Sequence, residues 1–393
     1  MKRIKGFGLL ETIIIILVTA IATSITTGII LYNSYKDNTG LTYDEITEDK
    51  ALQEFLEVYS SLSTEYYEEV DKTKMLESAI DAMTKYLGDK YTTYLSEEER
   101  ILLEEQLKGE YTGIGVLIEG NTIKQVFDNS PALASGVKVG DVIIKVNGED
   151  VKDKDATYIT NAIKKNSDQA TISFLRNEEE IELTIKFSQL NVPAISYEVL
   201  DDNIGYIYIS SFSNTLAVQV KEALTKLEKQ DIKSLIIDVR DNSGGYLSAA
   251  YDLAGLFIEK GKTIYSLSDN KNKVTYDDKT EEHQTYPIVV LVNENSASAS
   301  EILAAALKES YDAILVGKTT YGKGKVQQTK QLSDGSMVKY TSAKWYTPND
   351  ICIDGIGLTP DYEINLDIIY GENEEVIEIN DTQLLKAQEL LNN

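Results

Sequence analysis

From Ala51 to Leu107 apolar residues recur at helical spacing, with Leu52, Phe55, Leu56 and Tyr59 on one stretch and Met75, Leu76, Ala79, Ile80 and Met83 on the next. The pattern predicts a small helical region, interrupted by LGDKYTTYLS at 87–96. From Gly109 the texture changes to short alternations, such as GIGVLIE and TISFLR, between Gly, Asn and Asp turns; this predicts a β-rich unit ending near Phe187. Between Leu190 and about Asn365, strand runs (Ile204–Ile209, Leu235–Val239, Ile288–Val292) alternate with helical runs (Leu216–Leu227, Ala249–Ile258, Glu301–Lys308), which is an α/β pattern. Asp381 to Leu391 reads as a short amphipathic helix.

The start of the chain has a different character. No residue from Thr12 to Tyr35 is charged, and Ile13 to Leu31 is rich in Ile, Leu, Val and Ala, long enough as a helix to cross a hydrocarbon layer of about 30 Å once. Lys2, Arg3 and Lys5 precede it, so the positive-inside bias keeps the N-terminus in the cytoplasm and places the remainder outside the cell membrane. A cleaved signal peptide would have a shorter apolar region and a small-residue cleavage site. KGFGLLETIII also resembles the leader of type IV prepilins, with Gly6 before the cut, Phe7 after it and Glu11 five places in; a pilin-like surface protein is the reading that follows if the leader is processed. Lys36 to Lys50 is polar and reads as a linker.

Composition narrows the chemistry. With 393 residues, 42% hydrophobic and 26% charged, the chain can build two or three folded units. A formal net charge of −26 argues against nucleic acid as a partner. One cysteine, Cys352, and one histidine, His283, exclude an intramolecular disulfide and a Cys/His zinc site; carboxylate metal sites stay open, although no loop has calcium-binding spacing. Two glycine-rich strings fail as nucleotide sites. Asp312 stands where a phosphate-binding loop ending at Gly317-Lys318-Thr319 needs its first glycine, and Ile118 stands where a dinucleotide fingerprint starting at Gly113 and Gly115 needs its third.

YPIVVLVNENSASASEILAAAL reads as strand, tight turn and helix, a geometry that exposes a turn side chain beside the free N–H groups of a helix start. Ser298 with Glu301 three residues on also fits a capping box. A serine nucleophile needs a base. His283 lies in the acidic run DDKTEEHQTY and is a poor candidate; the other solution is a desolvated lysine, whose descent from about 10.4 to about 8 costs about 3 kcal/mol. YGKGKVQQ offers such a lysine between glycines.

NENSASASEILAAAL followed by TTYGKGKVQQ resembles the carboxyl-terminal processing peptidases, or tail-specific proteases, which use a Ser/Lys dyad. The resemblance implies Ser298 as nucleophile, Lys323 as base and Gln327 as the residue that holds the lysine, with no metal or organic cofactor needed. LIIDVRDNSGG at 235–245 resembles the family's glycine turn and implies an oxyanion hole from the Gly244 and Ala299 amides, with Asp238, Arg240 and Asp241 structuring the turn. Glycine suits that role because backbone N–H groups can approach a reacting carbonyl without a side chain between. DGIGLTPDYEI resembles the family's closing segment, and LGDKYTTYLS its segment before the PDZ domain, with Lys90 where proline is usual.

YTGIGVLI and NSPALASGVKVGDVIIKVNGEDV resemble a PDZ domain, in which Gly113, Ile114 and Gly115 would form the loop that receives a peptide's terminal carboxylate. The family's Leu-Arg-Gly turn is replaced by AIKKNSDQ, so Lys164 or Lys165 would have to serve for its arginine, without the bidentate fork. The implied architecture is multidomain: a cytoplasmic N-terminus and transmembrane anchor (1–36), a linker and helical region (37–108), a PDZ domain (109–188), an α/β serine protease domain of the crotonase/ClpP type (189–366) and a C-terminal helical tail (367–393). The implied function is a membrane-anchored extracytoplasmic serine endopeptidase acting on proteins with accessible C-termini, with a homodimer admitted as an assembly. The alternative is a proteolytically inactive PDZ adaptor that binds protein C-termini at the membrane surface.

Overall fold

The computed structural model describes residues 47–392 except 128, 166–167, 192 and 371–375. The apolar run at 13–31 and the leader around Gly6 lie outside the described residues, among which no helix is long and apolar enough to cross a membrane. The chain divides into two compact units, 1–83 and 84–393. In the first, helix α1 (Lys50–Thr64) starts where the Asp49 carboxylate accepts hydrogen bonds from the Ala51 and Leu52 N–H groups. Helix α2 (Lys72–Tyr86) begins in this unit and carries the Met75–Met83 repeat.

In the second unit the interruption at 87–96 is more than a break between helices. Its Thr-Tyr-Leu run is β-prone and forms β1 (Thr93–Leu95), paired antiparallel with Met337–Lys339 of the protease region. Helix α3 (Glu97–Lys108) follows, opened by a reciprocal capping box of Ser96 and Glu99.

Strand β2 (Glu110–Gly113) leads into the β-rich unit, which comprises β3 (Val116–Glu119), β4 (Thr122–Val126), α4 (Pro131–Ala134), β5 (Val142–Val146), β6 (Glu149–Asp150), α5 (Ala156–Lys164), β7 (Gln169–Arg176) and β8 (Glu179–Lys186). Strand β9 (Ser188–Asn191) leaves it and pairs antiparallel with β2, so the unit enters and exits through one two-stranded neck. The sheet order β3-β4-β5-β7-β8 leaves β3 as an edge, and Ile123, Ile143, Ile159, Ile172 and Phe174 form its core. An unpaired β3 edge is the place where an extended peptide can add as a strand.

The α/β region contains β10 (Ile195–Leu200), β11 (Ile204–Ile209), α6 (Leu216–Glu228), β12 (Ser234–Asp238), α7 (Leu247–Ala254), β13 (Thr263–Ser268), β14 (Lys273–Asp277), β15 (Ile288–Val292), α8 (Ala299–Tyr311), β16 (Ile314–Gly317), β17 (Lys325–Gln331), β18 (Met337–Tyr346) and β19 (Tyr362–Glu363). The main sheet runs β10-β11-β12-β15-β16-β19, parallel except for β10 on β11. β12 and β15 are buried at every position, which is why β15 reads as an unbroken apolar run, while β12 carries Leu235, Ile236 and Ile237 between Ser234 and Asp238. Ile237 and Val290 face the core built with α6, α7 and α8, while Ile236, Val289 and Leu291 face the opposite side. A second sheet, β1-β18-β13-β14 with β17 on β18, stands beside it.

The C-terminal segment departs from an all-helical tail. β20 (Asp367–Tyr370) and β21 (Val376–Asn380) pair antiparallel before helix α9 (Thr382–Leu391), whose Ala387 packs with Ile236, Val289 and Leu291.

Candidate active site

Two turns meet beyond the carboxyl ends of β12 and β15, the part of an open α/β sheet where ligands usually bind. The outer serines of SASAS stitch them together. Ser296 donates to the Val239 carbonyl at 2.7 Å and Ser300 to the Asn242 carbonyl at 2.8 Å, both buried. Asn242 reinforces the seam: its carbonyl also accepts from the Ala297 N–H at 3.0 Å, and its side-chain amide donates to the Ile209 carbonyl at 2.7 Å. Asp241 accepts from Asn293 and Asn295, so these charges hold the turn as the sequence suggested, and Arg240, bridging Asp238 and Asp381, also ties it to the start of α9.

The middle serine does something else. Ser298 has φ 60° and ψ −116°, a conformation non-glycine residues rarely adopt, which projects the residue at the strand-to-helix corner like a nucleophile elbow. It lines a cavity of about 470 Å³ shared with Gly244, Gly245, Lys323, Gln327 and Lys339.

One buried carboxylate ties the serine turn to the lysine loop. Glu301 is wholly inaccessible, and its Oε2 accepts from the Ser298 N–H at 2.8 Å and the Lys323 N–H at 2.9 Å. Its Oε1 accepts from Thr320 Oγ1 at 2.6 Å and the Gly322 N–H at 2.7 Å. Burial pushes this carboxyl above the ordinary range, against the pull of the Thr320 hydroxyl and the three N–H groups. The cap expected at Glu301 is therefore also a strut between the two candidate catalytic residues.

Lys323 is fixed from both sides, since its carbonyl accepts from the Trp345 indole N–H at 2.8 Å. Gly324 after it packs so closely on the DGIG segment that a Cβ would lie 2.5 Å from Asp354 Cβ, which explains why the closing motif and the lysine loop occur together. Lys323 Nζ stands 5.1 Å from the centre of the Tyr91 ring, and neighbouring Lys325 pairs with Asp89 at 3.1 Å. Lys90 donates to the Tyr321 hydroxyl at 2.7 Å, so the departure at position 90 puts another ammonium near the site. Burial, and then the positive charge of Lys339, hold Lys323 below the ordinary lysine range.

At two positions the contacts differ from those the expected roles would make. Gln327 lines the cavity but does not hold Lys323: its amide donates to the Lys325 carbonyl at 3.2 Å and Thr341 Oγ1 at 3.4 Å. A bulge between Val326 and Gln327 shifts the register of β17 against β18 at that point. The Gly244 N–H, expected in the oxyanion hole, donates to Asn242 Oδ1 at 2.8 Å. The N–H groups of Ala299 and Gly245 take no partner among the described residues, and Gly244 lies against the Ala299 nitrogen, its missing Cβ being 3.0 Å from it. Gly245, at φ 154°, admits no side chain because a Cβ would sit 2.4 Å from the Phe212 carbonyl oxygen. Gly245→Ala is expected to destabilise the fold by more than about 2 kcal/mol, read as a lowered denaturation midpoint.

In the β-rich unit, Gly113 ends β2, while Ile114 is buried and gives its carbonyl to the Ala132 N–H at 2.8 Å. The Tyr111 hydroxyl is buried against the Gly115 and Val116 N–H groups without completing a hydrogen bond, and its burial pushes the phenol up to about 12. Lys164 pairs with Glu105 of α3 at 2.8 Å. Both Lys164 and Tyr111 line a second cavity of about 370 Å³ that reaches Ser243 and Gly244 at the catalytic turn. His283 lies in a separate surface pocket with Glu259 and Lys262. Sequence reasoning missed Asn242, Tyr91 and Lys339 as parts of the site; the proximity of Tyr91 and Lys339 depends on β1 joining β18, which a three-residue strand scarcely signals.

The comparisons with known proteins converge on these elements. Residues 203–364 match the family model Peptidase family S41, residues 98–187 PDZ domain, and residues 23–99 Activating protease CtpB N-terminal domain. The chain is 34% identical over 361 residues to the Probable CtpA-like serine protease of Staphylococcus saprophyticus, covering 90% of this chain and 72% of that protein. It is 35% identical over 327 residues to a protein of the same name from Staphylococcus aureus, covering 81% of this chain and 66% of the relative's length. A lipoprotein from Streptococcus agalactiae shares the fold at 15% identity, with a TM-score of 0.50 over 87% of this chain and 88% of that one. With its α/β and PDZ units matched in order, and with that degree of identity to CtpA-like proteins, the chain belongs to peptidase family S41.

Proposed function

We propose that the protein is a membrane-anchored, extracytoplasmic serine endopeptidase that takes the C-terminal tails of protein substrates through its PDZ unit and cleaves with a Ser298/Lys323 dyad. The observation that carries this reading is that Ser298 and Lys323 line one cavity while their main-chain N–H groups are held by the same Glu301 oxygen. Neutral Lys323 accepts the Ser298 hydroxyl proton as the oxygen attacks the scissile carbonyl. The unpartnered Ala299 and Gly245 N–H groups receive the oxyanion. The lysine ammonium then passes its proton to the leaving amine, giving an acyl-enzyme. Water, deprotonated by the same lysine, hydrolyses the ester and frees the new carboxyl terminus. The apolar run at 13–31 supplies the anchor, and CtpA-like naming among the relatives is consistent with the chemistry.

The test mixes the detergent-solubilised full chain with an unstructured protein ending in apolar residues and follows cleavage by mass. The wild type is expected to cut, and Ser298→Ala to fall by at least about 10⁴-fold while retaining its circular dichroism spectrum. A wild-type chain that binds the tail and leaves it whole overturns the protease reading in favour of an adaptor.

The PDZ part of the proposal has its own test. Because the Tyr111 hydroxyl faces the amides that would receive a tail carboxylate, Tyr111→Phe is expected to tighten binding of a labelled free-acid peptide severalfold by fluorescence anisotropy. Equal tightening of the amidated peptide would show that the loop does not read the carboxylate.

A further inference from the structure

We infer that Lys339 is a receptor for a substrate carboxylate beside the scissile bond, so that the catalytic cleft selects acidic or terminally ionised segments. The inference rests on the protease reading and gives it a substrate class. In a chain with 64 acidic and 38 basic residues, the cavity that holds Ser298 is lined by Lys323, Lys325 and Lys339 and by no Asp or Glu. The three ammonium groups have different engagements. Lys325 is matched by Asp89, and Lys323 is the base, held in place through its main chain by Glu301 and Trp345. Lys339, half-buried on β18, has no carboxylate partner among the described residues.

An acidic neighbour in the cavity would pair with the Lys339 ammonium. The fold places none there. A substrate carboxylate arrives only with the bond to be cut. That carboxylate pairs with Lys339 and sets the neighbouring scissile bond against Ser298, while the substrate carrying it excludes water from the cavity. The same chemistry could come from an Asp or Glu side chain near the scissile bond or from the α-carboxylate a short distance beyond it.

The experiment uses the full chain in detergent and a neutral, apolar, unstructured peptide whose cut site is mapped by mass. Asp is compared with isosteric Asn at each position near the cut, and the free acid with the C-terminal amide, in wild type, Lys339→Gln and Lys339→Glu. Within each enzyme the two peptides are compared as a ratio of kcat/KM, which cancels any general loss of activity. The expected result is a preference of about tenfold for Asp at one position, or for the free acid, in the wild type. It falls to about unity in Lys339→Gln and inverts in Lys339→Glu, where Lys at the same peptide position restores cleavage. Whichever ratio collapses identifies the source of the carboxylate. Cleavage without a carboxylate preference, or a preference unchanged in Lys339→Gln, overturns this inference and leaves the protease reading intact; a wild type that cuts no peptide overturns both.

Discussion

Glu301→Gln is expected to remain folded yet lose about 10- to 100-fold in kcat, with KM changed much less. The reason lies in how four donors divide between two oxygens. Ser298 and Lys323 N–H groups share Oε2, while Thr320 Oγ1 and the Gly322 N–H share Oε1. Glutamine retains one acceptor oxygen. Turned towards Ser298 and Lys323 it keeps their spacing but sets its NH₂ against the Gly322 N–H, leaving that buried donor unpaired at about 1–3 kcal/mol. Turned the other way it pushes the two catalytic turns apart. Glu301→Ala orphans all four donors and is expected to cost about 4 kcal/mol or more, so its loss of activity would not separate positioning from unfolding. The glutamine variant does, through a second readout. The Glu301 charge favours the Lys323 ammonium, so its removal moves the rising limb of the pH–rate profile to lower pH even as the maximum falls. A kcat unchanged from wild type, or a limb that stays in place, would reduce Glu301 to an ordinary helix cap.

The double role of Glu301 marks how far the sequence could be read. The strand-turn-helix around Ser298 was legible because IVVLV is an unbroken apolar run and SASASE carries a helix start; both are local signals. Lys323 was legible through its flanking glycines, which the close DGIG contact explains. What escaped depends on tertiary placement. Nothing in SASASE shows that the N3 carboxylate turns inward to a loop more than twenty residues downstream, because a capping box and an interloop strut have the same sequence. The engagement of the Gly244 N–H was hidden for a similar reason: the asparagine two residues earlier closes an Asx turn on it and leaves the Gly245 N–H open. The partners of Gln327 follow a register shift between β17 and β18, a one-residue irregularity that alternation along β17 does not reveal. The segment at 87–96 was recognised as a landmark, yet its contribution of a strand and of Tyr91 became visible only with β18 beside it.

Lys323→Arg is expected to lower kcat/KM by about 10³-fold or more, although it keeps a long cation with the same hydrogen-bonding reach. An arginine has no accessible neutral form, with a pKa of about 12.5 or higher, so it cannot accept the serine proton. The wild-type lysine can because its surroundings oppose the charge. Burial comes first, then Lys339 from β18, with Lys90 from the segment before α3 adding to the repulsion; Tyr321 of the same loop and Glu301 of α8 act in the opposite sense. Neutral lysine is the active form, so kcat/KM should rise with pH along a limb centred below the ordinary lysine value of about 10.4. Lys339→Gln removes a repelling charge, raises the pKa of Lys323 and moves the limb to higher pH, lowering the rate at neutral pH without altering the plateau to the same extent. Glu301→Gln moves it the other way. Opposite displacements of one limb by substitutions on two elements would identify Lys323 as the titrating base, because no general loss of folding shifts a pH profile in both directions. A limb that both substitutions leave in place would mean that another group controls the proton, and Lys323→Arg would then retain most of its activity.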